Sequence, residues 1–377
     1  MIKNKLNSVE IQGYKSIKHL NDFKLGDLNV LIGANGSGKS NFISFFKMLN
    51  AILDPDAGLG FFIEQSGRAN SLLHDGASVT PQIEGTLNFE SIKGSNEYSF
   101  RLVHVAVDNL IFAEEKWRYS DKTRPTTKAS WIHPPVQGGY RETNIIEAMN
   151  KEDKTAQSLH HLMKRCIAYQ FHNTSDRAGI KQYASVADNL LKPDASNLAS
   201  FLFRLYKDDR DAYTRIVDTI KQIAPFFSDF VLEPERNSIL LRWKEKGNPH
   251  TIFGAHQASD GTLRAMALVS LLLQPANTNV APYVIIIDEP ELGLHPYAIN
   301  IVAGLLQSVS TRTQIIISTQ SKTLVDCFTP EDIIVVDRIG RESQFNRLDS
   351  SALEEWLDEY SLSEIWEKNI IGGKPRK

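Results

Sequence analysis

Two groups of residues in this 377-residue chain have the types and spacing to do chemistry together, one near the start and one near the end. The first is the run Gly33-Ala34-Asn35-Gly36-Ser37-Gly38-Lys39-Ser40, which fits the phosphate-binding P-loop pattern. Its glycines let the backbone curl so that several N–H groups converge on phosphate oxygens. Lys39 adds a point charge near the β and γ phosphates, and Ser40 offers a hydroxyl to Mg²⁺. The second group is Asp288-Glu289-Pro290, which ends the apolar run Tyr283-Val284-Ile285-Ile286-Ile287. This is a Walker B pattern: Asp288 reaches Mg²⁺ through its coordination shell, and the adjacent Glu289 orients or deprotonates an attacking water. A glycine-rich turn can match the first pattern by chance, and paired acids also cap helices. A run of β-branched residues leading straight into the acids favours the catalytic reading, and the two groups together predict ATP as ligand with Mg²⁺ as cofactor.

The segment between them narrows the class. Ser259-Asp260-Gly261-Thr262 precedes Leu263, Met266, Ala267, Ser270 and Leu271, which recur at helical spacing. Ser259 or Asp260 can cap that helix and leave backbone N–H groups at its positive end, an anion site. Ala258-Ser259-Asp260-Gly261-Thr262 resembles a variant of the signature motif of ABC-type ATPases. Leu292-Gly293-Leu294-His295-Pro296 resembles their D-loop, and Gln314-Ile315-Ile316-Ile317-Ser318-Thr319-Gln320 the strand that ends in their switch residue. The order of these motifs resembles the RecF/SMC-like branch, and within it the stand-alone AAA-family ATPases of bacterial DNA-maintenance or anti-phage defence operons. The opening around Tyr14-Lys15-Ser16 and the closing Ile371-Gly372-Gly373 also resemble that group.

The resemblance implies an α/β P-loop NTPase fold with an ABC-type two-lobed head: an antiparallel β-rich lobe I, a parallel-sheet core and an inserted helical region. It implies that two heads pack head to tail as a homodimer around ATP. Asn35, Gly36, Ser37, Gly38, Lys39 and Ser40 of one subunit and Ser259, Asp260 and Gly261 of the other would bind each nucleotide. Ser40 and Asp288 would hold the metal, and Glu289 and Gln320 would be catalytic. Hydrolysis would loosen the dimer and gate a separate effector protein, a nuclease or toxin.

Gln320 departs from the family, which has a histidine there. A glutamine amide hydrogen-bonds a phosphate or a water but carries no proton at neutral pH. Two readings stay open: slower hydrolysis, or a glutamine tolerated in this subgroup. The lobe I glutamine that touches Mg²⁺ in the family is also unplaced, with Gln82, Gln137 and Gln182 as candidates.

The elements that must position these residues follow from periodicity. Leu28–Ile32 reads as a buried strand before the P-loop, and Phe42, Phe45, Phe46 and Leu49 as one face of the helix after it. Over residues 79–119 apolar positions alternate (Ile83, Leu87, Phe89; Tyr98, Phe100, Leu102; Leu110, Phe112; Trp117, Tyr119), as in antiparallel hairpins. Residues 120–143 read as an exposed loop, a plain flexible loop being favoured over a contact point at Trp131 and Pro134-Pro135, and 155–224 read as helices, with Cys166 on a helical pattern. His160-His161 read as a solvated helix face with one histidine buried. Aromatics of the tail, 352–366, either cover the second lobe or present a partner face, and packing is favoured. The expected divisions are 1–150, 151–250, 251–345 and 346–377.

Composition sets limits. A formal charge of −3 offers no basic field, so any nucleic-acid contact has to come from local patches or a partner. The two cysteines, Cys166 and Cys327, read as separate buried thiols. The first residues lack the apolar core of a signal peptide, and the longest apolar stretch, 263–273, carries Arg264 and is about half a membrane span. A cytoplasmic chain without membrane contact is expected. Three functions are weighed: a slow ATPase gating an effector, a nucleotide sensor or scaffold with little turnover, and a nuclease in its own right. The last is disfavoured because too few residues follow Thr319 for the Toprim domain that overcoming-lysogenization-defect proteins append to a similar head.

Overall fold

A computed structural model describes residues 4–123, 129–134, 138–188, 190–275 and 281–374. The chain opens as a hairpin, β1 (Lys5–Tyr14) and β2 (Ile17–Lys24), then enters the core through β3 (Leu28–Ile32), where every residue is buried. It turns at once into α1 (Lys39–Ile52), followed by α2 (Gly58–Gln65) and three long strands, β4 (Gln82–Glu90), β5 (Gly94–Val105) and β6 (Asn109–Asp121). These pair in the order β2-β1-β4-β5-β6 as a five-stranded antiparallel sheet. On β4 the expected alternation holds, with Ile83, Leu87 and Phe89 inside. The two runs read as separate on 110–119 share one strand. A register shift opposite Arg101/Leu102 flips the buried parity from Leu110 and Phe112 to Glu115 and Trp117. Glu115 tolerates burial because it accepts from Tyr98 Oη at 2.6 Å, Asn144 N at 2.8 Å, Tyr140 Oη at 3.2 Å and Thr143 Oγ1.

Two helices, α3 (Ile145–Asn150) and α4 (Lys154–Met163), lead into β7 (Cys166–Tyr169). Here the helical reading of 155–224 is corrected. Cys166 begins a strand, parallel to the Walker B strand and paired Cys166 to Val284. The helical spacing from Leu159 runs on because α4 turns directly into β7, with Cys166 Sγ still 3.5 Å from the Leu162 carbonyl. Neither His160 nor His161 is buried; His161 is exposed against Tyr283. Beyond the short β8 (Ala184–Ser185) come α5 (Leu198–Asp208), α6 (Arg210–Ile223) and the strands β9 (Phe227–Phe230), β10 (Ser238–Ile239), β11 (Arg242–Glu245) and β12 (Asn248–Gly254). Then follow α7 (Asp260–Leu272), β13 (Val284–Asp288), α8 (Pro296–Ser310), β14 (Gln314–Thr319), α9 (Lys322–Val325), β15 (Ile333–Ile339), β16 (Glu342–Arg347), α10 (Glu354–Leu357) and α11 (Leu362–Glu367).

The second sheet is six-stranded in the order β16-β15-β3-β14-β13-β7, parallel except for β16. It separates two cores. On β13, Val284 and Ile286 face the core shared with the antiparallel sheet and α1, while Ile285 and Ile287 face the core of α5, α6, α7 and α8. Burial on both faces is why this strand reads as an unbroken apolar run. Trp131 lies over β6, with the Arg118 guanidinium 4.1 Å from its ring centroid, so this part of the 120–143 segment is folded back; Pro135 is outside the described residues. In the tail the aliphatic Leu353, Leu362 and Ile365 are buried, while of the aromatics Trp366 is half-buried against the helical core and Trp356 is exposed, so the expected aromatic packing holds only in part. Both cysteines are free; Cys166 is buried, whereas Cys327 is only half-buried near Asn300. Among the described residues no helix is long and apolar enough to cross a membrane.

Candidate functional site: a phosphate loop facing paired carboxylates

The loop between β3 and α1 is built around three left-handed glycines. Gly33, Gly36 and Gly38 have φ of 150°, 77° and 117°. A Cβ on Gly33 would strike the Val336 carbonyl, and one on Gly38 would strike the Ser343 and Ser16 hydroxyls, whereas Gly36 faces open space. Gly38 caps α1 with no side-chain hydrogen bond, so the first N–H groups of the helix remain available at its positive end. Lys39 is nearly buried, and its Nζ donates to the carbonyls of Gly33 at 2.6 Å and Ala34 at 3.0 Å. Burial pulls its ammonium below the ordinary value, opposed by the charges of Glu289, Asp288 and Glu291. The predicted phosphate loop and Walker B acids are therefore one cluster, although about 250 residues of chain separate them.

The acids are held by β14. Asp288 ends β13 opposite Ser318, whose hydroxyl donates to Asp288 Oδ1. Glu289 takes a left-handed φ of 46°, rare for a residue with a side chain, and its N–H donates to the Ser318 carbonyl at 2.9 Å. Gln320 Nε2 donates to Glu289 Oε1 at 2.8 Å. The switch-position glutamine thus touches the candidate base itself.

Residues not named from the sequence join this cluster. Glu291 accepts from Thr319 Oγ1 at 2.5 Å and from the Gln320 N–H at 3.2 Å, and burial raises its carboxyl above the ordinary value. Gln170 follows β7, the neighbour of β13, and accepts from Lys47 Nζ of α1 at 2.5 Å. His172 Nε2 donates to the Asp288 carbonyl at 2.9 Å. Of the glutamines named from the sequence, neither of the two described ones is brought here. Gln82 stands on β4 bonded to Glu84, Gln182 donates to the Asp176 carbonyl, and Gln137 lies outside the described residues. Gln170 carried one signal: it ends a short apolar run, Cys166-Ile167-Ala168-Tyr169, as Asp288 ends another.

The signature residues sit apart. Ser259 caps α7 by accepting from the Thr262 N–H at 3.1 Å, and Ser259 and Asp260 are exposed. Gly261 lies so close to the Gly293 carbonyl that a Cβ would not fit. Arg264, one turn on, donates to the carbonyls of His172 at 3.0 Å and Leu292 at 3.3 Å, tying α7 to the segments flanking the acids.

The cluster fits ATP with Mg²⁺. An uncapped helix N-terminus, a buried lysine and an open Gly36 suit a polyphosphate. Among the described residues no group of three or more His, Cys, Asp or Glu forms a metal cage. A single hydroxyl and a single carboxylate, Ser40 and Asp288, suit Mg²⁺, which keeps waters and takes its remaining ligands from phosphates.

The architecture matches solved structures. The Smc head bound to the C-winged helix domain of ScpA superposes with a TM-score of 0.61 at 14% identity, covering 92% of this chain and 99% of that one. The Pyrococcus furiosus Smc head with an extended coiled coil, bound to the C-terminal domain of ScpA, gives 0.53 at 15% identity and 95% and 99% coverage. The Pyrococcus yayanosii Smc head with a coiled coil and joint gives 0.53 at 12% identity, again with 95% and 99% coverage. At such identities the likeness establishes the fold, an SMC-head-like α/β P-loop architecture. No curated protein matches the chain. A family model does, over residues 28–326, a span that includes the phosphate loop, the signature, the paired acids and Gln320. The chain therefore belongs to the P-loop ATPase family described as "AAA domain, putative AbiEii toxin, Type IV TA system".

Proposed function

We propose that this chain is an ATP-hydrolysing head whose base is Glu289 and whose ATP-bound form pairs head to tail with a second copy to control a separate effector. The observation that carries the catalytic part is the hold on Glu289: a left-handed backbone turn fixes its stem and the Gln320 amide fixes its carboxylate. A carboxylate so oriented, beside Lys39 and Asp288, is placed to accept a proton from water aligned with a γ phosphate. The loop N–H groups and Lys39 would bind and orient the phosphates, and Ser40 and Asp288 would hold the metal. When bound, Mg²⁺ supplies charge neutralisation at the phosphate oxygens. Gln170, which follows β7 beside the strand that carries Asp288 and accepts from Lys47, would take the role of the lobe I glutamine toward the metal.

Dimerisation is supported by what the single chain leaves incomplete. Ser259 and Asp260 are exposed at the N-terminus of α7, where an anion from a second subunit can reach them. A triphosphate engages that positive end more strongly than a diphosphate, so hydrolysis would weaken the pair. The effector is a separate protein of a DNA-maintenance or anti-phage defence system. ATP turnover by the wild type, Glu289→Gln and Lys39→Ala proteins, with native mass measured in ATP and Mg²⁺, tests the proposal. It expects turnover lost in both variants and a doubled mass in Glu289→Gln alone. Turnover that survives Glu289→Gln would remove Glu289 as base, and a mass that stays monomeric with ATP bound would remove the head-to-tail pair.

A further inference from the structure

In the six-stranded sheet, Asp288 and Gln320 lie at the ends of strands on one side of β3, while β15 and β16 lie on the other. On that second side, next to the phosphate loop, is a cavity of ≈ 430 Å³ lined by Ser16, Asn41, Asn70, Asp75, Arg338 and Arg341 among others. Its walls come from the β1–β2 turn, the segment before β4, and the β15–β16 turn. The cavity is fastened to the loop. Arg338 donates to the Gly36 carbonyl at 3.2 Å, and Ser343 donates to the Ser37 carbonyl at 2.5 Å. Asn41 of α1 donates to Ser16 Oγ at 2.7 Å.

One side chain in this cavity is placed at some cost. Arg341 is largely exposed, yet its Nε donates to Asp75 Oδ1 at 2.5 Å. Asp75 itself sits at a left-handed φ of 56° and follows buried His74, whose Nδ1 donates to the Lys15 carbonyl at 2.8 Å. An exposed ion pair adds little to stability. This one holds a planar guanidinium at the mouth of a polar cavity, joining the last hairpin of the chain to lobe I.

The acids that face Lys39 follow strands on one side of β3, whereas this cavity, lined by Asn41 of the first turn of α1, lies on the other. A nucleotide with its γ phosphate among Lys39, Asp288 and Glu289 would therefore extend along the start of α1 toward it. We propose that the cavity receives the nucleoside end of the nucleotide, with the base lying against the Arg341 guanidinium that Asp75 holds in place. The inference rests on the nucleotide-binding reading above. A guanidinium stacks on an aromatic base by its flat face, which a lysine ammonium does not reproduce. The Asp75 carboxylate is held below its ordinary range chiefly by the Arg341 hydrogen bond, so the pair stays formed at neutral pH.

Affinities for ATP and for inorganic tripolyphosphate, measured by titration calorimetry on the full chain, separate the two readings. Arg341→Ala is expected to weaken ATP about tenfold and leave tripolyphosphate unchanged, with Arg341→Lys giving no rescue. Asp75→Asn is expected to shift ATP affinity in the same direction by less. If ATP and tripolyphosphate weaken together, or neither weakens, the base does not lie on Arg341 and the inference falls while ATP binding stands. A wild-type chain that binds neither ligand removes the nucleotide reading and the pocket's ligand with it. Arg341 is exposed, so its replacement leaves the fold intact, and thermal unfolding of each variant checks this.

Discussion

Gln320 and Glu289, 31 residues apart in sequence, meet with the glutamine amide donating to the carboxylate at 2.8 Å. The amide occupies one lone pair of Glu289 and fixes the direction in which the other oxygen faces. A residue in this position need not titrate to matter; it has only to aim its neighbour. In the proposed mechanism the glutamine that stands where the family has a histidine acts by orienting Glu289.

The first prediction separates aim from chemistry. Glu289→Gln removes the proposed base and is expected to lower kcat by about a hundredfold or more. Gln320→Ala leaves the base present but free to rotate, with kcat down about ten- to a hundredfold and ATP affinity unchanged. Steady-state kinetics with direct ATP binding checks both. Equal turnover in Gln320→Ala and wild type would mean the hydrogen bond does not aim the base.

The sequence made the phosphate loop and the acids legible because each is local: glycine at left-handed positions and a strand that ends in carboxylates are properties of neighbouring residues. Gln170 and Glu291 were not legible because their partners, Lys47 and Thr319, lie on other elements. Cys166 misled for a related reason. A strand of four residues directly after a helix inherits its spacing, and only pairing with Val284 shows that it belongs to the sheet. The cavity at Arg341 depends on three segments far apart in sequence and left no local trace.

Glu291 makes a pH-dependent prediction. Burial raises its folded-state carboxyl above the ordinary value, so it favours the fold when protonated and costs stability once ionised. Its contribution is fully present below the unfolded-state range and is lost as pH rises through the raised value. Glu291→Gln keeps an oxygen for Thr319 and the Gln320 N–H without the charge. The variant is expected to be at least as stable as wild type at neutral pH and to lose that advantage on acidification. Urea unfolding at neutral and acid pH checks this, and the opposite trend would show that the ionised carboxylate is the stabilising form.

Gly38 tests the loop itself. Its φ of 117° is costly for any residue with a Cβ, and that atom would meet the Ser343 and Ser16 hydroxyls. Gly38→Ala is expected to cost about 1–3 kcal/mol and to abolish ATP binding by displacing the N-terminus of α1. Gly36→Ala meets open space and bears only the backbone cost, so it should be the milder of the two by thermal unfolding.

The last prediction asks whether Ser259 works on its own subunit or on another. Ser259 lies at an exposed helix start, whereas Lys39 is nearly buried beside the acids. A bulky Ser259→Arg change should leave ATP binding by each chain intact and abolish its turnover. Lys39→Ala removes binding and turnover together. If the site is shared between subunits, mixing these two inactive proteins rebuilds one complete site per mixed pair, with phosphate loop from the Ser259→Arg chain and signature from the Lys39→Ala chain. Turnover should then reappear on mixing and rise with total concentration, since pairing is bimolecular. If each head were complete alone, the mixture would stay as inactive as its parts.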